Sequence, residues 1–211
     1  MVERVQVNPT APEPHLVGLA VAAIRSGGLV AYPTDTLYGL GADPMNPEAV
    51  SRLRRVKGGT DRQGIPLIAA DLEQVLACTV DTSGRVRRLA DRWWPGPLTL
   101  VVHATVAFAD GVRAHDGSVA IRVPAHDVAR SIAEGVGGPI TSTSANRSGE
   151  LAPMDASAIV AELVSTLAMV VDAGATAGGQ PSTIVDVRGL ELRLVRPGRV
   201  PWNRVLESAE S

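Results

Sequence analysis

The stretch GGLVAYPTDTLYGLGADPMN, Gly27 to Asn46, carries an apolar strand, Leu29 to Tyr32, straight into Pro33, Thr34, Asp35, Thr36 and Tyr38. A plain turn needs far less chemistry. At a strand end, the side chains and backbone N–H groups of Thr34, Asp35 and Thr36 can converge on a ligand. A hydrogen-bonded turn, with Asp35 bonding nearby backbone N–H groups, is the other reading. Gly39 and Gly41 favour the first, because they let a backbone be approached closely without a Cβ in the way.

Working outward, Leu16, Leu19, Ala20, Ala23 and Ile24 repeat at helical spacing after Pro14, and Gly27-Gly28 supplies a left-handed stop. Downstream, Asn46, Pro47 and Glu48 start a helix with Val50, Leu53 and Val56 on its buried stripe, ending at Lys57. A short strand follows over 66–69. Asp71 caps a helix through Val75, Thr82-Ser83 opens another before Trp93-Trp94, and Pro95-Gly96-Pro97 ends it. The runs LTLVVHA (98–104), VAIRV (119–123), PITSTS (139–144), AMVVDA (168–173), STIVDV (182–187) and ELRLVR (191–196) predict strands. Helices are predicted over 127–134 and 155–167, and Gly174 to Pro181 is the most linker-like stretch. Strands and helices mixed without clean alternation predict an α/β domain on a mixed, twisted sheet.

At 211 residues and 45% hydrophobic, the chain can bury one substantial core. It reads as a single domain over 1–211, with a core of about 14–200 and peripheral tails. A net charge of -2 and only three Trp, two Tyr and one Phe argue against an extensive phosphate-backbone surface or a base-stacking platform. A local basic groove stays open. Cys78 is alone, so it can form no intramolecular disulfide and no zinc cluster, and it reads as a small buried hydrophobe. His15, His103, His115 and His126 share no spacing. The longest apolar run, Leu16 to Ile24, is far below membrane-spanning length, which makes the cytoplasm the default location.

Three further stretches carry chemistry. In RLRRVKGGTDRQGIPLIA (52–69), Lys57 and Arg62 flank a Gly-rich loop, as a polyphosphate would require, although the Walker A spacing is absent. Arg52, Arg54 and Arg55 read as a solvated helix end that complements the dipole. In PITSTSANRSGE (139–150), Thr141, Ser142, Thr143, Ser144, Asn146 and Ser148 gather hydroxyls and an amide without a triad acid or histidine. That composition suits donation to phosphate or ribose oxygens rather than nucleophilic attack, or else a polar capping loop. In the third, Ser182, Thr183 and Arg196 sit at the ends of paired strands, where Arg196 could meet an anion. Arg122, inside the apolar strand VAIRVP, must point to solvent or find an anionic partner. A ligand and a structural salt bridge are both open.

Taken in order, PTDTLYGLG, a lysine and then an arginine before PL, WPGPLTLV, IRVP, TSTSANRSG and PSTIVDV before VRPG resemble the YrdC-like threonylcarbamoyl-AMP synthase family, from about Leu16 to Val200. The resemblance implies a single twisted α/β domain around a large open cavity. It implies a reaction in which L-threonine, bicarbonate and ATP, with Mg2+ on the triphosphate, give threonylcarbamoyl-AMP and pyrophosphate. Partner proteins would then transfer the threonylcarbamoyl group to a tRNA adenosine beside the anticodon, with weak RNA contact possible. Carried over, Lys57, Arg62, Ser144 and Asn146 are the catalytic set, and these four with Thr143 and Arg196 bind the nucleotide. Thr34, Tyr38, Arg122 and Ser182 bind threonine, with Arg122 on its carboxylate.

Two departures stand out. The family usually has Lys-x-Arg, whereas here Lys57 is followed by Gly58 and Gly59 and the arginine comes at Arg62, read as a short insertion. Many members have a histidine just after the Pro-Leu strand, where this chain has Ala69-Ala70. A paralogue that keeps the cavity but binds RNA or nucleotide without this catalysis is the rival reading. A carbamoyl-adenylate domain of hydrogenase maturation is disfavoured by the single Cys.

Overall fold

A computed structural model describes residues 2–58, 64–80, 84–159 and 161–210. Its strands divide between two mixed sheets. The first has the order β1 (Glu3–Gln6), β10 (Met169–Asp172), β2 (Val30–Pro33), β3 (Tyr38–Gly41) and β9 (Thr143–Ser144). β1, β10 and β2 run parallel, while β3 is antiparallel to both β2 and β9. The second has the order β12 (Arg193–Arg196), β11 (Thr183–Asp186), β6 (Leu98–Ala104), β7 (Ser118–Arg122), β4 (Leu67–Ile68) and β8 (Ile140–Thr141), with β5 (Thr79–Val80) paired to β6.

The period-2 alternation of a strand explains why LVAY is apolar throughout. Val30 and Tyr32 face α1 (Pro14–Arg25) and α5 (Asp127–Val136), packing with Ile24, Ile132 and Val171. Leu29, Ala31, Tyr38 and Leu40 face the opposite way, into the larger core shared with Leu67, Leu98, Leu100 and Ile121 of the second sheet. The expected stop of α1 is a left-handed turn at Gly27, φ +82°. Asn46 caps α2 (Pro47–Val56) by accepting from the N–H groups of Glu48 and Ala49, and Asp71 caps α3 (Leu72–Cys78) by accepting from Gln74 N–H. The expected helix opening at Thr82-Ser83 lies outside the described residues. The helix itself, α4, runs over Arg85–Trp93. Cys78 is buried, and desolvation pushes its thiol up to about 11.

Several expectations change. PITSTS is not one strand: Ile140–Thr141 belongs to the second sheet and Thr143–Ser144 to the first. The chain crosses between them at Ser142, whose N–H donates to Pro66 O, while the Thr141 hydroxyl accepts from Ala42 N and donates to Leu40 O. The helix expected over 155–167 is a 3-10 turn at Ala156–Ala158 and a single turn α6 (Ala161–Val164), separated by extended backbone at Ile159. Neither tail is peripheral throughout. Residues 3–6 extend the first sheet, and α7 (Trp202–Glu210) packs on α4 with Val205 fully buried. Gly39 and Gly41 lie in β3, and a Cβ at Gly41 would come within 2.8 Å of the buried Tyr32 ring. Glycine there makes room for Tyr32, not for a ligand. No helix among the described residues is long and apolar enough to cross a membrane.

Candidate functional site

Between β2 and β3 the chain turns on the hydroxyl of Thr34. That hydroxyl donates to Leu37 O at 2.7 Å and accepts from the N–H groups of Thr36 and Leu37, each at 3.2 Å. A threonine thus replaces the backbone partners the turn lacks. The turn is therefore the hydrogen-bonded kind, but Thr34 organises it. Asp35 sends its carboxylate across the molecule instead, and its Oδ1 accepts from an Arg122 terminal nitrogen at 2.5 Å.

Arg122 is the last residue of β7, with a side chain only 7% exposed, and that of Asp35 is 11% exposed. Its other contacts are long, 3.5 Å to Gly96 O and to Thr36 Oγ1. The salt-bridge reading of this strand arginine is thus the one the structure contains. Ser182 stands on the far side of the entry to β6: Gly96 N donates to Val123 O and Thr183 N to Pro97 O. The Ser182 hydroxyl oxygen accepts from Thr99 Oγ1 at 2.8 Å and from Arg196 at 3.2 Å, and Arg196 also donates to Ser182 O. Burial and, second, the charge of Arg122 lower the Arg196 guanidinium below its ordinary value. Two guanidiniums therefore feel one another here, and among the described residues one bonded carboxylate, Asp35, stands against them. Such an excess of positive charge favours an anion.

A second cluster forms where α2 ends. Lys57 Nζ donates to Ser144 O at 2.8 Å, Ser144 Oγ at 3.3 Å, Asn146 O at 2.6 Å and Asn146 Oδ1 at 3.1 Å. Between these two residues, Ala145 is buried and its N–H donates to Tyr38 O. Asn146 Nδ2 donates to Glu150 O. These four oxygens of Ser144 and Asn146 are neutral, and they fix the position of the ammonium. Lys57, Ser144 and Asn146 are thus brought together as expected. Thr143, in β9 beside Ser144, pairs with Leu40 of β3. Arg196 joins the Arg122 and Ser182 cluster rather than this one. Arg62 lies outside the described residues.

Tyr38 links the two clusters through its backbone, while its side chain points into the core. The ring is fully buried, and the hydroxyl donates to Gly174 O at 2.7 Å and accepts from Ala173 N at 3.2 Å. Desolvation pushes the phenol above its ordinary value. The Thr34 and Tyr38 hydroxyls are therefore occupied within the protein, and both residues shape the loop from beneath. The linker-like segment is pinned to that loop: Thr176 Oγ1 donates to Thr36 O, and Arg199 donates to Asp35 O and Gly178 O. Sequence reasoning singled out Asp35 and Thr36 but not their partners, and it missed Thr176 and Arg199 as site-forming residues, because the pairs lie between 86 and 164 positions apart. The buried strand arginine was the one available signal, since it required an anion from somewhere. A cavity of about 870 Å³ opens elsewhere, between β1 and the 156–168 segment, and no expected site residue lines it.

Among the described residues no three His, Cys, Asp or Glu side chains gather as a metal cage. The oxygens of Ser144 and Asn146 are engaged with Lys57.

The Sua5, YciO and YrdC family model, described as "Telomere recombination", matches residues 22–198. The threonylcarbamoyl-AMP synthase of Pyrococcus abyssi is 33% identical over 189 residues, 90% of this chain and 56% of the relative. That of Halorhodospira halophila is 40% identical over 140 residues, 66% of this chain and 73% of the relative. The chain thus spans little more than half the length of the archaeal protein. The crystal structure of P. abyssi Sua5 complexed with L-threonine superposes with a TM-score of 0.90 at 31% identity, covering 99% of this chain and 60% of that one. With a family match running from within α1 to just past β12, over both clusters, this chain belongs to the Sua5, YciO and YrdC family.

Proposed function

We propose that this chain makes threonylcarbamoyl-AMP from L-threonine, bicarbonate and ATP, releasing pyrophosphate, and so supplies the threonylcarbamoyl modification of tRNA. The observation that carries the reading is the pair of clusters joined by the 34–38 segment. One is built around a lysine suited to phosphate, and the other around guanidiniums suited to a carboxylate. The similarity to synthases of two organisms supports it, as does the threonine complex of P. abyssi Sua5.

The chemistry follows from those groups. Bicarbonate and the threonine amine condense to a carbamate and water. A carbamate oxygen then bonds the α-phosphorus of ATP as the bond from that phosphorus to the bridging oxygen breaks, and pyrophosphate leaves with the electron pair. The carbamate is short-lived in water, so holding it beside the α-phosphate matters more than activating it. Lys57 and Arg62 oppose the charge that moves onto pyrophosphate, and Ser144, Asn146 and Thr143 orient the nucleotide. Mg2+ bound to the triphosphate supplies further charge neutralisation. Arg122 and Ser182 hold the threonine carboxylate, Arg196 adds positive charge beside Ser182, and Thr34 and Tyr38 fix the loop that walls the pocket. Partner proteins receive the product. No covalent enzyme intermediate is needed, which accords with a site without a triad.

Pyrophosphate release from ATP by the purified chain, with threonine and bicarbonate each added and omitted, tests the reading. Release that requires both supports the synthase. Release that needs neither, or none at all, moves the chain to a nucleotide-binding paralogue.

A further inference from the structure

We infer that Asp35 is the second half of an amino-acid head-group site, taking the α-ammonium of the substrate while Arg122 takes its carboxylate. The inference rests on the threonine-using reading above and identifies what tells an α-amino acid from any other small carboxylate at that site.

Asp35 and Arg122 form an almost enclosed ion pair that uses only one corner of each partner. Oδ1 of Asp35 receives the guanidinium at 2.5 Å. Oδ2 makes no hydrogen bond among the described residues. It is not sealed off either, since the one buried polar side-chain atom among them that lacks a partner is His126 Nδ1. Oδ2 therefore keeps some exposure to solvent. The same reasoning applies to Arg122 Nε, which is neither bonded nor sealed. The pair thus presents an unused carboxylate oxygen and an unused guanidinium N–H to whatever binds beside it.

An α-amino acid carries the matching pair, a carboxylate and an ammonium on one carbon. Seating it beside the ion pair keeps every charge opposite its complement, so the exchange is close to neutral. A carboxylate without the ammonium sets a second anion near Asp35 and gains less. Surrounding groups give the site a direction. The Ser182 hydroxyl already accepts from Thr99 and Arg196, which leaves its proton to give to an anion. Arg196 adds positive charge on that side. The anionic end of the ligand therefore belongs towards Ser182 and the cationic end towards Asp35. The Asp35 loop is held on both flanks, by Arg199 on Asp35 O and Thr176 on Thr36 O. The carboxylate is placed rather than free to follow Arg122.

Calorimetric titration of the whole chain with L-threonine and with β-hydroxybutanoate, which is threonine without its amino group, tests this. The wild type should favour threonine by about tenfold or more, as expected when one charge-assisted contact separates two ligands. Asp35→Asn should lose that preference, binding the two within about threefold, and Asp35→Glu should recover part of it. A preference left intact in Asp35→Asn, or both ligands binding it more tightly in equal measure, would mean that Asp35 only neutralises Arg122, and the synthase reading would stand. The wild type alone also decides: equal affinity for both ligands overturns the role of Asp35. Binding of neither overturns the threonine reading and the role of Asp35 with it.

Discussion

Lys57 and Arg122 are both cations held by named oxygens, and they stand in different clusters. Lys57 donates to oxygens of Ser144 and Asn146 at the end of α2, whereas Arg122 donates to the Asp35 carboxylate at the end of β7. Removing each should therefore fail in a different way. Lys57→Ala is expected to lower the rate of pyrophosphate release by about 100-fold, the scale of losing one charge-stabilising donor, with the circular dichroism spectrum retained. Arg122→Ala should raise the threonine KM by at least about tenfold and leave the ATP KM within about twofold. Equal effects on both KM values would place Arg122 at the nucleotide. Much of this pattern was legible in the chain, because the 144 and 146 side chains and a lysine ending a helix announce themselves by type and order. The hydroxyls of Thr34 and Tyr38 did not. A hydroxyl used by its own turn and one offered to a ligand are the same letter in a sequence, and only the partner Leu37 O or Gly174 O separates them.

At the level of elements, β3 is the instructive case. Its two glycines lower strand propensity, and no strand is predicted over YGLG, yet it pairs with β2 on one side and β9 on the other. Close packing explains the glycine at 41: the Tyr32 ring is fully buried and has nowhere to retreat. Gly41→Ala should cost about 1–3 kcal/mol by overpacking. Gly18→Ala, in the exposed middle of α1 where an added Cβ meets nothing within 4 Å, should instead stabilise by about 0.5–1 kcal/mol. Urea midpoints shifted in the same direction for both variants would refute the packing argument. Caps were easier to foresee than this strand, since Asn46 and Asp71 act on N–H groups two or three residues away. The division of PITSTS between two sheets depends on Pro66 and Ala42, which no local pattern reveals.

Across the whole molecule, the α/β class followed from the mixed run of strands and helices, while the count of sheets did not, because pairing partners are distant in the chain. One half-buried group should tune the stability of the assembled fold with pH. Desolvation holds His126 below its ordinary value, opposed by the charges of Asp35 and Asp127 and assisted by Arg130. The unfolded chain protonates this ring at about pH 6.5, the folded chain only at lower pH, so the unfolded state binds more protons in between. Stability associated with His126 is complete above about pH 6.5 and falls as the pH drops towards the folded value, by at most about 1.4 kcal/mol per unit. Denaturation of His126→Gln against the wild type at about pH 7.5 and about pH 5 checks the sign, since the wild type should lose more on acidification. The crossing at Ser142 has a consequence of its own for how the molecule opens. A single pair of neighbouring residues closes an edge of each sheet, so neither edge can detach without dragging on the other. Amide deuterium uptake at Leu40, Ala42 and Ile68 should accordingly proceed as one event, and the protein should have no partly opened form in which one sheet survives alone.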